Sequence, residues 1–123
     1  MVALVEDLPV IPDADLARVQ RWVKARNDAI LERARDQIRI ELDVGSRALT
    51  IFECHPPWRD DMGPDWSRLP TARLRYTKVR NEWALYWSDR NSEFHEYDLV
   101  EPTRYVSHLL AEVDRDPTYI FWG

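Results

Sequence analysis

The stretch of residues 74–99, LRYTKVRNEWALYWSDRNSEFHEYDL, most constrains what this chain can fold into. Three runs in it are rich in Tyr, Trp, Phe, Val and Thr: residues 74–79, 83–88 and 94–99. Such side chains fit a pleated, half-buried surface. The runs are separated by Arg80-Asn81 and by residues 89–92, where Asn, Asp and Ser suit tight turns. The stretch therefore predicts three consecutive antiparallel strands.

A two-residue loop at Arg80-Asn81 would set the register of the first of these hairpins. The pairs that follow from it are Val79 with Glu82, Lys78 with Trp83, Tyr76 with Leu85, and Leu74 with Trp87. One face is then apolar and the other is basic and aromatic. A four-residue second turn would place His95 and Tyr97 on the basic-aromatic face. A slip of one residue would move both to the apolar face.

The composition predicts one globular domain over residues 1–123. That length is enough to bury a core, and 45% hydrophobic with 32% charged residues excludes a disordered chain. The net charge of −5 argues against a nucleic-acid binder that relies on overall charge. Six Trp indicate either a core of large rings or an exposed stacking surface.

Cys54 is the single cysteine, so no intrachain disulfide is expected and we interpret it as a small buried hydrophobe. The first residues carry acids where a signal peptide needs positive charge. No apolar run approaches membrane-spanning length, so no membrane association is expected. These features predict a cytoplasmic protein.

A helix is predicted after residues 1–12, a short arm that is either flexible or adds an edge strand. Asp13 suits the N-cap, and apolar residues recur at helical spacing: Leu16, Val19, Val23 and Ile30. Next, apolar and charged residues alternate over residues 38–44, as in a half-buried strand. Gly45-Ser46 suits a type II′ turn into a partner strand at residues 47–54. This register places Glu53 opposite Ile38, at the end of an apolar face.

Residues 55–70 carry four Pro and little periodicity, which predicts a long loop. Trp58 and Trp66 would pack across the sheet. Alternatively, both would line a small-molecule pocket together with Glu53.

A second helix is predicted from Pro102-Thr103 to Asp116-Pro117. Its buried stripe is Val106, Leu109, Leu110 and Val113. Residues 119–123 are too apolar to remain in water, so they are expected to dock on their own domain or on a second copy.

Several short motifs lie along the chain: Asp36-Gln37, Glu53-Cys54, Pro57-Trp58, Tyr76-Thr77-Lys78, Trp83 with Leu85-Tyr86-Trp87, His95 with Tyr97, and the Phe121-Trp122-Gly123 ending. By these residues, the chain resembles an uncharacterised bacterial family of unknown function, DUF 3024, from about residue 16 to residue 123. The resemblance implies no activity, cofactor or catalytic residue.

The residues offer no recognisable catalytic motif. His55, His95 and His108 have no metal-ligand spacing, and neither a phosphate-binding glycine loop nor a nucleophile elbow occurs. No metal and no cofactor are therefore expected.

One constellation suggests binding: Arg73, Arg75, Tyr86, His95 and Tyr97. On one sheet face these would suit single-stranded RNA, with Arg on phosphates and Tyr under bases. His95 as acid or base would even permit cleavage, as in toxin-like ribonucleases. The plainer interpretation is a surface where arginines pair with nearby acids.

The sequence thus predicts an α+β fold with an N-terminal helix, a five-stranded antiparallel meander, and a C-terminal helix on one sheet face. Its most favoured function is a binding or interaction module for another protein or a second copy. An RNA-binding or RNA-cleaving domain is the alternative, although the net charge disfavours RNA.

Overall fold

The computed structural model describes residues 10–57, 61 and 63–122. Its elements in chain order are α1 (Asp13–Ala29), a 3-10 helix (Glu32–Ala34), β1 (Arg39–Val44), β2 (Ala48–His55), β3 (Ser67–Thr77), β4 (Glu82–Ser88), β5 (Phe94–Glu96) and α2 (Val106–Arg115). The strands form one antiparallel sheet in the order β1-β2-β3-β4-β5, so each pairs with its neighbour in sequence. This α+β architecture confirms the predicted fold.

The core lies between one face of the sheet and the two helices. The core side chains that are at most 2% exposed come from both helices and from β2, β3 and β4: Val19, Leu49, Ile51, Ala72, Leu74, Trp83, Leu85, Val106, Leu109 and Val113. Burying an aliphatic side chain of this size stabilises the fold by about 1.5–3 kcal/mol. Leu110 is also buried, at 4% exposure, so the predicted stripe of the second helix is confirmed.

The first hairpin turns one residue later than predicted. The Gly45 N–H donates to the Ala48 carbonyl at 2.8 Å, which leaves Ser46 and Arg47 as the loop. Gly45 does not have the positive φ that a type II′ turn requires at its first central position, so that prediction is wrong. Glu53 consequently pairs with Ile40. The pairing shifts by two residues, which leaves each side chain on its predicted face.

The strand β3 begins seven residues before the predicted run at residue 74. It starts at Ser67 and pairs with every residue of β2, so the predicted loop of residues 55–70 shrinks to residues 56–66. An irregularity opposite Ile51 and Phe52 leaves Thr71 as an extra residue, and Pro70 lies beside it. Proline is tolerated at such a bulge because the ladder is already interrupted there.

The hairpin between β3 and β4 has a four-residue loop. Thr77 pairs with Glu82, and the loop is closed by Asn81, which has a φ of 49° and accepts a 2.7 Å hydrogen bond from the Tyr76 hydroxyl. The predicted two-residue loop is therefore wrong. Because the register again shifts by two, Leu74, Tyr76, Trp83, Leu85 and Trp87 still share one face, as predicted.

The hairpin between β4 and β5 differs from the prediction by one residue, and this changes the faces. Its loop spans residues 89–93, so Trp87 pairs with His95 and Tyr86 with Glu96. The Asp89 carboxylate fixes this length by accepting the N–H groups of Asn91 and Glu93 at 2.8 and 3.0 Å. The predicted four-residue turn is wrong.

Both helix starts also differ from prediction. The N-cap of α1 is Pro12, and Asp13 is its first residue. The second helix begins at Val106, while Thr103 forms a bridge with Trp83 on β4. Thr103 still helps the start of that helix, because its hydroxyl accepts the Tyr105 N–H at 3.1 Å.

The C-terminal segment docks on its own domain, one of the two predicted options. Phe121 is 7% exposed, and its ring lies 5.0 Å from that of Tyr97. Trp122 donates its indole N–H to the Val113 carbonyl at 3.0 Å. The predicted arm is described only at residues 10–12, where the Val10 N–H donates to the Ser46 carbonyl, and Gly123 lies outside the described residues.

Candidate binding surface

The face of the sheet opposite the helices is termed the outer face. It is formed by alternating side chains of the five strands: Arg39, Glu41, Asp43, Thr50, Phe52, Arg68, Arg73, Arg75, Ala84, Tyr86, Phe94 and Glu96. Within the described ranges, neither helix covers it. An antiparallel sheet commonly leaves one face to solvent, and this one is unusually rich in arginine.

At the β1 side of the outer face, arginines and carboxylates form a compact network. Glu41 accepts hydrogen bonds from Arg39 at 2.6 Å and lies 3.2 Å from the Arg68 guanidinium, which also contacts Asp43 at 2.8 Å. The hydrogen bond from Arg39 holds the pKa of Glu41 below its usual range. The Arg39 guanidinium lies 4.2 Å from the Trp66 ring centroid. The charges at this side are thus mutually compensated.

Arg68 of this network and Arg73 of the same face also lie on aromatic rings. The Cζ atoms of Arg68 and Arg73 lie 4.0 Å from the ring centroids of Phe52 and Phe94, respectively. Arg73 also donates to the Thr50 hydroxyl at 2.9 Å. These contacts hold both guanidinium groups against the protein surface.

Arg75 is exposed and differs from its neighbours on the outer face. In the described part of the chain, it forms no ion pair, side-chain hydrogen bond or ring contact. Its cross-strand partner is Ala84, whose small side chain leaves a hollow between Arg75 and the ring of Tyr86. The unpaired cation therefore stands at a concave part of the surface.

Two neighbouring depressions share Arg75 and Tyr86. One, of about 350 Å³, is lined by Arg73, Arg75, Tyr86, Glu93 and Phe94. The other, of about 280 Å³, is lined by Arg75, Thr77, Arg80, Glu82, Ala84, Tyr86, Glu96 and Pro102. The two residues thus form the boundary between two adjoining depressions.

Only part of the predicted constellation is brought together. Arg73, Arg75 and Tyr86 share the outer face, whereas the one-residue difference in the last hairpin turns His95 and Tyr97 to the helix side. Tyr97 is 3% exposed and donates a 2.7 Å hydrogen bond to Glu112. The predicted convergence of all five residues is therefore wrong.

His95 is occupied by contacts of its own. Its ring lies 4.7 Å from that of Trp87, and its Nε2 is 2.7 Å from the Asp89 carboxylate. The hydrogen bond from His95 and those from the loop backbone hold the pKa of Asp89 below its usual range. His95 thus ties β5 to the hairpin loop through Asp89 and does not face Arg73 or Arg75.

The loop and β5 together bring three groups that could ligate a cation close to one another. Ligand atoms of Asp89, Glu93 and His95 lie within 4.8 Å of one another. Sequence reasoning missed this grouping because the three residues are spread over a loop and the following strand, without a known ligand spacing. The hydrogen bonds of the Asp89 carboxylate to His95 and to the N–H groups of Asn91 and Glu93 already explain why the three residues lie close together.

The sequence also missed Phe94 and Glu96 as members of the outer face. Glu96 takes the position opposite Tyr86 that was expected of His95, and Phe94 lies opposite Ser88. The signal that could have found them is the alternation of side chains along residues 94–97. It places either Phe94 and Glu96 or His95 and Tyr97 on the outer face, depending on the loop length.

The alternative pocket of Trp58, Trp66 and Glu53 is described only in part, since Trp58 lies outside the described residues. Trp66 contacts Arg39 on the outer face. Glu53 pairs with Ile40 on the opposite side and lies 3.0 Å from His55. The structure therefore does not bring Trp66 and Glu53 together.

Cys54 lies beneath the arginine network and is fully buried. Burial, with the Glu41 carboxylate nearby, raises the pKa of its thiol. A thiol in such surroundings is a poor nucleophile, in agreement with its interpretation as a small buried hydrophobe.

The fold and the outer face define a small α+β domain with both helices on one side of a meander sheet and an arginine-aromatic surface on the other. The chain belongs to the family described as "Domain of unknown function (DUF3024)", which it matches over residues 6–123. Comparisons with the curated proteins and with the solved structures give no match. Among the described residues, no helix is long and apolar enough to span a membrane.

Proposed function

We propose that the protein is a bacterial, cytoplasmic binding module that holds a partner protein on its outer face, with Arg75 and Tyr86 as the central contacts. One observation carries this proposal. Arg39, Arg68 and Arg73 are engaged within the protein, whereas Arg75 is unpaired beside a hollow. Arginine and tyrosine are the residue types that most often dominate the energetics of protein interfaces.

The charges of the outer face favour a protein over RNA. Glu41 and Asp43 lie at one side of this face, and Glu93 and Glu96 line the depressions. A nucleic acid carries a phosphate at every nucleotide and would meet these carboxylates repeatedly. A protein segment places a single carboxylate opposite Arg75 and avoids the others. The predicted ribonuclease role is further weakened because His95 faces away.

Fluorescence anisotropy with two labelled probes tests the proposal: a short end-blocked peptide with a single Glu between Tyr and Ser residues, and an oligouridylate of eight nucleotides. We expect the peptide to bind and Arg75→Gln to weaken it at least tenfold, since a hydrogen bond to a charged group contributes about 1.5–3 kcal/mol. Arg18→Gln is the matched control, because Arg18 is an exposed α1 arginine without an ion pair in the described part.

Each other outcome decides against the proposal. Equal losses in Arg75→Gln and Arg18→Gln would indicate unspecific charge attraction. Tighter binding of the oligouridylate, weakened by Arg75→Gln, would favour the RNA alternative. If neither probe binds, the outer face is not the binding surface proposed here.

A further inference from the structure

The smaller depression of the outer face has a distinct chemistry. Its volume is about 280 Å³, close to the lower limit of small-molecule sites, and its walls are mostly polar. Arg75 on β3 lies opposite Ala84 on β4, and Tyr86 follows Ala84 by two residues on the same strand. An apolar ligand would desolvate these polar walls without returning hydrogen bonds, so a polar ligand suits the hollow.

Four charged side chains line this hollow, two of each sign. Arg80 and Glu82 compensate one another, with their guanidinium and carboxylate 3.5 Å apart. Arg75 and Glu96 remain, and within the described residues neither forms an ion pair or a side-chain hydrogen bond. The hollow thus presents one free cation and one free anion.

The register separates these two free charges. Arg75 lies on β3 opposite Ala84, whereas Glu96 lies on β5 opposite Tyr86, so the whole of β4 lies between their backbones. Two strand spacings amount to about 10 Å. A ligand between them would meet the guanidinium on one side and the carboxylate on the other.

We propose that this hollow binds a zwitterion of amino-acid to dipeptide size, with its carboxylate on Arg75, its ammonium on Glu96 and its chain against the Tyr86 ring. The inference rests on the proposed binding function and names the chemistry of the group that the partner would present. A ligand of one charge would form an ion pair with only one of the two free side chains, whereas a zwitterion forms both.

A series of ω-amino acids from glycine to 6-aminohexanoate tests the inference, because it varies only the distance between the two charges. Acetate and ethylammonium serve as single-charge probes. Binding is followed by ¹H–¹⁵N NMR at the amides of Ala84 and Glu96 and at the Arg75 Nε. We expect one chain length to bind best and at least fivefold more tightly than acetate.

Variants separate the two charges. Arg75→Gln and Glu96→Gln should each weaken the best ω-amino acid to the level of a single-charge probe. Arg18→Gln and Glu32→Gln, exposed changes away from the hollow, should leave its affinity unchanged. All four positions are on the surface, and the amide spectrum itself reports whether a variant has folded.

The outcomes distinguish this inference from the proposed function. If acetate binds as tightly as every ω-amino acid and Glu96→Gln has no effect, the hollow takes a simple anion and the inference is wrong. Binding of the acidic peptide would then still support the binding module. If ω-amino acids bind best while the peptide does not bind, the zwitterion site is supported and protein docking is not. No binding of any probe overturns both.

Discussion

The Tyr97 hydroxyl donates a 2.7 Å hydrogen bond to the Glu112 carboxylate in the core, where the two residues are 3% and 7% exposed. This bond joins the segment after β5 to α2. Burial, with the carboxylate beside it, raises the pKa of Tyr97 to about 12. No buried side-chain nitrogen or oxygen of the described residues lacks a hydrogen-bond partner, so loss of this bond would create the first one.

We expect the Tyr97 bond to make stability fall at high pH. A raised pKa in the folded state means that the contribution is complete below about pH 10, the unfolded value, and is lost as the pH rises toward 12. The loss over that range should reach about 1–3 kcal/mol. Tyr97→Phe should lower stability at pH 8 by about 1–3 kcal/mol and flatten the alkaline decline.

Urea unfolding at pH 8, 9, 10 and 11 measures both effects. Tyr119→Phe is the control, because Tyr119 is 75% exposed. Parallel declines of the wild type and Tyr97→Phe would show that another group causes the alkaline loss.

Asn27 protects the edge of the sheet. The backbones of Gly45 and Ala48 are hydrogen-bonded to each other. Hydrogen-bonded and non-hydrogen-bonded pairs alternate along an antiparallel ladder, so the N–H and carbonyl of Ile40 point away from β2. The Asn27 amide binds both, at 2.8 and 2.9 Å. Asn27→Ala should therefore lower the free energy of unfolding by about 1–3 kcal/mol and expose a pairing edge that promotes self-association. Gln20→Ala, on the exposed side of α1, is the control.

Urea unfolding and light scattering check this expectation. Asn27→Asp should give an intermediate loss, because the carboxylate still accepts from the Ile40 N–H and cannot donate to its carbonyl. Unchanged stability and mass for Asn27→Ala would show that water replaces the amide without cost.

The faces of the sheet could be predicted because side chains alternate strictly along a strand. A shift of two in the β1–β2 and β3–β4 hairpins therefore left Arg73, Arg75 and Tyr86 on the predicted side. Loop lengths could not be predicted, since they depend on side-chain bonds that form only in the fold, such as Tyr76 with Asn81. The odd shift at the last hairpin therefore removed two of the five predicted site residues, His95 and Tyr97, from the outer face.

Arg26 joins the two helices to the C-terminal segment. Its guanidinium lies 2.6 Å from the Asp114 carboxylate and 4.0 Å from the Trp122 ring centroid, while Trp22 donates to the same carboxylate at 3.0 Å. Arg26→Lys keeps the charge and loses the planar stacking group. The substitution should lower the free energy of unfolding by about 0.5–1.5 kcal/mol. The loss should persist at high salt, where the ion pair is screened.

Urea unfolding at 0.1 and 1 M salt measures this change against Arg21→Lys, an exposed α1 control. A deficit that disappears at 1 M salt would assign the contribution of Arg26 to the ion pair instead of the ring contact.

Asp116 attaches the C-terminal segment to α2. It follows the helix with a φ of 42°, and its two carboxylate oxygens accept the N–H groups of Phe121 and Trp122 at 3.0 and 2.9 Å. Glycine adopts this conformation readily, so Asp116→Gly removes the two acceptors with little backbone strain. We expect Asp116→Gly to lower the free energy of unfolding by about 2–4 kcal/mol. Asp116→Asn keeps one acceptor and should lower it by about half as much.

Release of this segment should be visible apart from the loss of stability. Trp122 would lose its contact with the Val113 carbonyl and enter water, which shifts its fluorescence to longer wavelength, and carboxypeptidase would shorten the chain. Asp98→Asn, at an exposed position, controls for the change of charge. If Asp116→Gly unfolds like the wild type and resists carboxypeptidase, burial of Phe121 alone holds the segment. A loss in both readouts that is larger for Gly than for Asn assigns the attachment to the carboxylate.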